Sequence, residues 1–285
     1  MGRARFSLPN LLTAILLSLA AARSSSGDWI RDFGGDVSYD DNVSRSNREA
    51  DERQDVAFRA LAHLGRFDQL SDDLRLTLTA DFSGEAWERY QDFNNATAAG
   101  TASLRYRFGL GARAPFVRVE GSAGYASFEQ SLQDGGRYRS GVTVGKRLTE
   151  RLSIAASYHF DDNESRVRVF NQQAQHFSLA GSFDLSETTQ ITAGYELREG
   201  EVISYAVPPR PDMVALANAL RPVDTFGGNY VAYNLDATTH AFSVGVSQAF
   251  TRFLALNLRY ERLETSRAHL YYINNIFNAS LHASF

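Results

Sequence analysis

An all-β, transmembrane antiparallel up-and-down barrel of about 12 strands is predicted by three features of the 285-residue sequence. Apolar and polar residues alternate along most of its length, the connections between alternating runs are alternately short and long, and the terminal Phe285 is in phase with the last run. Alternation with a period of two marks a strand with one apolar and one polar face. The clearest runs are 74–82, 152–160, 176–183, 242–246, 254–260 and 277–285, and weaker ones lie near 32–42, 55–65, 96–108, 116–126, 138–148 and 190–198.

The first element precedes the barrel. Arg3 and Arg5 lead into an apolar run, 11–22, broken only by Thr13 and Ser18 and ending in Ala20-Ala21-Ala22. A basic start, a short apolar stretch and a small-residue exit are the grammar of a cleaved secretory signal, expected over 1–22. The run is shorter than the roughly 20 residues a membrane-spanning helix needs. Residues 23–29 are then expected as a short periplasmic segment and 30–285 as the barrel. Composition narrows the alternatives. With no cysteine the chain has neither a disulfide framework nor a Cys-ligated metal. A net charge of −4 gives no reason to expect nucleic acid as a partner.

The connections separate a membrane barrel from a soluble one. Short turns are expected at 68–73, 109–114, 149–151, 185–189 and 251–252, and longer polar loops near 43–53, 84–94, 127–136, 161–171 and 199–236. Short turns at one end and long loops at the other are the periplasmic and extracellular ends of an outer-membrane barrel with both termini inside. Aromatics gather at the strand ends: Tyr125, Tyr158, Phe160, Tyr195, Tyr260 and Tyr271 beside the long loops, and Phe108, Phe116, Phe183, Phe250 and Phe253 beside the short turns. These are expected to form the two interfacial girdles. The last run, with Phe277, Ala279, Leu281 and Ala283 in phase with Phe285, resembles the C-terminal strand that Gram-negative outer-membrane proteins present to the barrel-assembly machinery.

The segment Tyr39-Asp40-Asp41-Asn42-Val43-Ser44-Arg45 recurs as Phe160-Asp161-Asp162-Asn163-Glu164-Ser165-Arg166, and more weakly at 260–267. An aromatic followed by acidic and Asn residues suits a strand leaving the membrane; it also fits duplication of hairpin units. The opening Ser38–Val43 stretch and the closing Tyr272-Ile273-Asn274-Asn275-Ile276-Phe277 resemble the first and last strands of a loose group of outer-membrane β-barrel porins, some encoded with exopolysaccharide systems. The resemblance implies the architecture, with lipopolysaccharide and the assembly machinery as partners, and a polysaccharide or small anionic solute as cargo.

If the polar phase faces inward, Arg75, Arg105, Arg107, Arg118 and Arg147 line the short-turn half of the lumen, with Arg59, Arg139, Arg198 and Arg259 above them. Asp81, Glu120, Asp161, Glu196 and Glu261 share that phase. Two readings follow: a charge ladder that stiffens or closes the barrel, and an arginine track for anionic solutes. The longest loop carries four of the six prolines, Pro208, Pro209, Pro211 and Pro222, around an apolar stretch at 212–220. That stretch reads as a short helix capped by Asp212, whose Met213, Val214, Leu216 and Leu220 are expected to dock on the rim, close the mouth as a lid or bind a partner.

Enzyme chemistry finds little support. His176 and Ser178 echo the His-x-Ser pair of outer-membrane lipid hydrolases, but both lie in the lumen phase, away from lipid. Asp40, Asp41, His159, Asp161 and Asp162 supply the residue types of a rim protease; strand-exit carboxylates could also hold a divalent cation. The reading that results is a non-enzymatic outer-membrane channel for small polar or anionic solutes, saccharides among them, without cofactor or resident metal. Its alternative is a closed structural barrel that binds a partner at the cell surface or in an export assembly.

Overall fold

The computed structural model describes residues 29–285. The expected signal at 1–22, and the expected periplasmic segment at 23–29 except for Trp29, lie outside the described residues. The strands are β1 (Trp29–Asp40), β2 (Asp55–Gln69), β3 (Leu74–Trp87), β4 (Asn95–Arg107), β5 (Phe116–Phe128), β6 (Gly135–Arg147), β7 (Leu152–Asn163), β8 (Gln172–Asp184), β9 (Thr189–Ala206), β10 (Ala217–Val223), β11 (Tyr230–Ala249), β12 (Leu254–Arg267) and β13 (Leu270–Ser284). One helical turn, α1 (Pro211–Val214), interrupts them. Twelve strands close the barrel: β1 to β9 in order, then β11, β12 and β13, with β13 returning to pair with β1. Every alternating run in the sequence overlaps one of these twelve. No helix of the described residues is long and apolar enough to cross a membrane.

The apolar phase is turned outward. Leu64, Leu78, Val119, Val144, Leu179, Phe242, Leu258 and Phe277 are all exposed on the outer face of the cylinder. In water such a belt would have to be covered; in hydrocarbon it is the required surface. Apolar side chains that are buried gather instead in two clusters at the long-loop end, one around Tyr233 and Leu235 and one around Phe170 and Tyr205. The strand turns at 70–73, 108–115, 148–151, 185–188 and 250–253 share an end with both termini. Phe116, expected in a girdle, instead faces the lumen, because the register pairs it with Arg107 and its ring lies 4.0 Å beneath the Arg105 guanidinium.

At the opposite end the loops repeat a device. Three-residue 3-10 turns at Gln91–Phe93, Ser131–Gln133 and Arg168–Phe170 are each followed by an Asn or Asp that reaches back to a residue at or just beyond the end of the preceding strand. Asn94 accepts the Trp87 backbone N–H at 2.7 Å, Asp134 that of Phe128 at 2.7 Å, and Asn171 that of Ser165 at 2.8 Å. Short polar side chains mimic backbone acceptors in this way at turns.

The seam where the cylinder closes is tied by the residues of the first and last strands that stand out in the sequence. Asn274 donates from Nδ2 to Asp40 at 3.0 Å and to the Asn42 carbonyl at 2.5 Å. Asn275 gives its backbone N–H and its Nδ2 to the Asp41 carboxylate at 2.7 and 2.6 Å. Asn42, almost fully buried, donates to the carbonyls of Ser46 and Ile273 and accepts from Ser44 and Ser46. The Tyr39-Asp40-Asp41-Asn42 motif is therefore a clasp across β1 and β13. Asn274→Ala leaves the Asp40 and Asn42 acceptors short of a donor in a buried setting. We expect a loss of about 1–3 kcal/mol, read as a lower urea midpoint for the refolded barrel in detergent, while the outward-facing Leu281→Ala leaves the midpoint nearly unchanged.

Candidate functional site

The register sets the wall of the lumen. Arg75, Arg105, Arg107, Arg118, Arg147 and Arg259, with Glu120, Glu196 and Glu261, all fall on the face opposite the exposed apolar belt. Much of the charge is paired. Glu120 lies 3.1 Å from Arg118 and 3.0 Å from His159; Arg139 forms a two-pronged pair with Asp161 directly across β6 and β7. His176 hydrogen-bonds Glu196 at 2.8 Å and approaches Asp161 at 3.5 Å. Arg147 pairs with Asp184 at 2.9 Å, and Arg259 with Glu261 at 2.7 Å. From β5 to β9 the wall is thus a ladder of alternating charge, which holds side chains against the barrel in fixed positions.

One row breaks the alternation. Arg75 stands directly opposite Arg105 on the neighbouring strand, and Arg105 directly opposite Arg118. Like charges in direct register destabilise a sheet. Arg105 has no carboxylate partner among the described residues, and Phe116 supports one face of its guanidinium. Beside this row lies a cavity of about 690 Å³ that reaches from the periplasmic turn residues Ala112 and Ala114 to Glu196 and Glu261. Hydroxyls of Ser153, Ser178, Ser182, Thr192 and Ser243 line it together with Arg105, Arg147 and Arg259. A polar, hydroxyl-rich wall of this kind suits water and hydrated solutes.

The long-loop end is covered. β9 and β11 continue as a two-stranded extension, 200–206 paired with 231–237, beyond the ends of their other neighbours. The extension and the residues between its strands touch every other connection at that end. Tyr205 donates its N–H to the Ser44 carbonyl at 2.8 Å, and Thr225 its hydroxyl to Asp92 at 2.8 Å. Phe226 packs on Tyr90 and Phe93; Leu132, Val169 and Phe170 join the same cluster; Asn234 donates to the Asn171 carbonyl at 2.7 Å; and Leu270 packs in the second cluster. A segment that meets all the other loops of a ring lies across the ring. It is a lid.

The lid differs from the sequence expectation in its secondary structure. Residues 212–220 do not form a helix: α1 is a single turn capped by Arg210, and Ala217–Val223 is strand β10 on the edge of β11. The reason is the length of β11. It extends beyond β12, leaving the 230–235 edge without a neighbour. An isolated helix of about nine residues is marginal in water, while the open edge offers a row of hydrogen-bonding groups. Of the four apolar residues expected to dock, Met213 is buried and Leu216 packs beside it, whereas Val214 and Leu220 are about half exposed.

Arg210 fastens the lid, a role the sequence did not signal. Its side chain is fully buried and donates to Asn47 at 2.7 Å and to both oxygens of Asp212 at 3.0 and 2.8 Å, with Asp51 3.9 Å away. The guanidinium holds the Asp212 carboxyl at a pKa of about 2. Asp212 is therefore a partner for Arg210 rather than a helix cap. The residues considered for catalysis are occupied elsewhere: Asp40 and Asp41 clasp the seam, His176 is committed to Glu196 and Asp161, and Asp162 falls on the outward face. Among the described residues no three His, Cys, Asp or Glu side chains converge as a metal site.

An outer membrane channel from Pseudomonas putida F1 superposes with a TM-score of 0.59 over 92% of this chain and 100% of its own, at 14% identity. The two share the barrel fold. The KdgM porin in complex with disordered oligogalacturonate and the NanC porin each reach a TM-score of 0.47 over 89% of this chain, covering 99% and 98% of their own lengths at 12% and 10% identity. No protein-family model and no curated protein matches the sequence.

Two outcomes follow for the lid. Arg210→Ala strands buried Asp51 beside Asp212 and costs the docked lid about 3–5 kcal/mol, so limited proteolysis should cut within 207–229 while the barrel stays folded. A carboxyl whose pKa falls on folding contributes stability that is complete above its free value and is lost as pH falls through the folded one. Pepsin should therefore spare the segment near pH 4 and cut it progressively toward pH 2, and Asp212→Asn should remove that pH step.

Proposed function

We propose that the chain is an outer-membrane channel for small polar or anionic solutes, acidic saccharides among them, with its extracellular mouth gated by the lid. The observation that carries this reading is the row Arg75, Arg105 and Arg118, whose middle member Arg105 lines the hydroxyl-rich cavity. Guanidinium groups kept in like-charge register cost stability, and a row of fixed positive charge in a polar lumen favours anion entry. Arginine suits the task better than lysine, since its planar fork binds carboxylates through two parallel hydrogen bonds. Lysine is nearly absent from the chain, Lys146 being its sole example. The apolar belt and the terminal Phe285, whose ring meets Phe33 and Phe253, support insertion by the barrel-assembly machinery into a lipopolysaccharide-bearing membrane.

The second reading, a closed barrel that binds a partner through its loops, draws on the lid itself and on the ion-pair ladder from β5 to β9. Conductance separates the two. In planar bilayers the Arg210→Ala protein should show a steady open state with anion preference in the reversal potential, and the wild-type protein briefer openings of the same size. Arg105→Glu together with Arg118→Glu should abolish or reverse the preference. A folded Arg210→Ala barrel that stays silent, or an unchanged anion preference in the double variant, would sink the channel reading.

A further inference from the structure

We propose that the lumen contains a discrete oxyanion-binding site on the Arg75, Arg105 and Arg118 wall, loaded from the periplasm while the lid is docked. The proposal rests on the anionic-solute reading of the lumen and adds to it a site, a ligand chemistry and a side of entry.

Directly opposite residues of antiparallel strands have Cα atoms about 4.5–5.5 Å apart, so three guanidiniums share a patch only two strand spacings wide. Arg75 and Arg105 are each stacked on a ring, and the fork of Arg105 stays available. Arg105 lies over Phe116 at 4.0 Å and Arg75 over Phe67 at 4.9 Å. Arg75 gives only its Nε to Gln69, at 3.2 Å, and the neighbouring Arg107 gives one N–H to the Asp72 carbonyl at 3.3 Å. Arg118 has its carboxylate in Glu120. For Arg105, among the described residues, the ring of Phe116 is the contact that holds it, and the residue lines two cavities, one of about 690 Å³ and one of about 450 Å³. Asp72 and Asp73 border the smaller cavity without pairing to these arginines. Their negative charge repels an anion from the turn and shifts it toward the side of Arg105 that borders the larger space. A carboxylate or phosphate group there would accept bidentate hydrogen bonds and relieve the repulsion within the row.

The side of entry follows from the other end. The extension of β9 and β11 meets the β1–β2, β3–β4, β5–β6 and β7–β8 connections and Leu270 at the start of β13. The arginine row lies near the short turns, at 75 and 105 beside the 70–73 and 108–115 connections. A solute therefore reaches the site from the periplasm before the lid has to move.

The absence of cysteine makes a direct test available. Ser103 faces the lumen two residues from Arg105, in register with Thr77 and Glu120. A Ser103→Cys protein is placed in sealed lipid vesicles, with Thr251→Cys on a periplasmic turn reporting the fraction of molecules whose periplasmic end faces out. With each rate divided by that at Thr251→Cys, an anionic sulfonate methanethiosulfonate should label Ser103→Cys about tenfold faster than a cationic trimethylammonium one. Its fast phase should label the same fraction as Thr251→Cys, and the rate ratio should collapse when Arg105→Gln is added. Citrate or inorganic phosphate should slow the labelling; protection by citrate alone assigns a carboxylate ligand, and protection by phosphate alone assigns a phosphate. Equal rates for the two reagents once each is divided by its rate at Thr251→Cys, or no protection by either anion, overturn the site; labelling of the whole population in one phase overturns periplasmic loading. Conductance does not enter this measurement, so a silent bilayer would defeat the channel reading without touching the site.

Discussion

Closure of the sheet between β1 and β13 is the constraint on which the rest depends. In hydrocarbon no water can hydrogen-bond a bare strand edge, so a membrane sheet is stable only when its last strand returns to its first. That return is made over nine register positions, from Asp32 against Ser284 to Asp40 against Ile276. It is completed above the membrane by side chains: Asp40 and Asp41 on one strand receive Asn274 and Asn275 from the other. Once the cylinder is closed, the period-two alternation has a single consistent outcome, with the aliphatic and aromatic phase toward lipid and the Arg, Ser, Thr and carboxylate phase toward the lumen.

The two ends of the cylinder then diverge because the strands are unequal. At the short-turn end they stop together. At the other end β11 spans 20 residues and β9 18, against 14 for β12. The surplus cannot be lipid-facing, and it is not left as an open ribbon: it folds over the mouth, where its two faces bury the apolar clusters around Tyr233 and Tyr205. A membrane barrel needs no dry interior, so the hydrophobic packing that a soluble domain would place at its centre here sits in the lid. Burial raises the Tyr205 hydroxyl's pKa above the ordinary tyrosine range, since a phenolate could not be solvated there. The fully buried cation in this packing, Arg210, is tolerated because Asp212, Asp51 and Asn47 surround it.

The charge of the lumen has two regimes. From β5 to β9 opposite charges face one another and neutralise the wall; from β3 to β5 near the short turns, arginine faces arginine. A uniform ladder would leave the lumen without net field, and a uniform arginine wall would strain the sheet throughout. The combination confines the arginine-on-arginine register to one part of the lumen, near the short turns.

The sequence by itself determined the strand count of the barrel, the alternation of short and long connections and the division of each strand into an apolar and a charged phase. Each of these is local, because period two and turn chemistry are written in neighbouring residues. Its closing motif was legible as a resemblance but not as a clasp, since Asp40 and Asn274 are separated by more than two hundred positions and meet only when the barrel closes. Two readings failed for one reason. Residues 212–220 carry a helical pattern and Phe116 sits at a girdle position, yet the open edge of β11 drew the first into a strand and the register with Arg105 and Arg107 turned the second inward. The burial of Arg210 and the like-charge row likewise arise from partners on distant strands. Tertiary structure decided these features because hydrogen-bonded edges and cross-strand neighbours outweigh local propensity wherever a segment has a free edge to join.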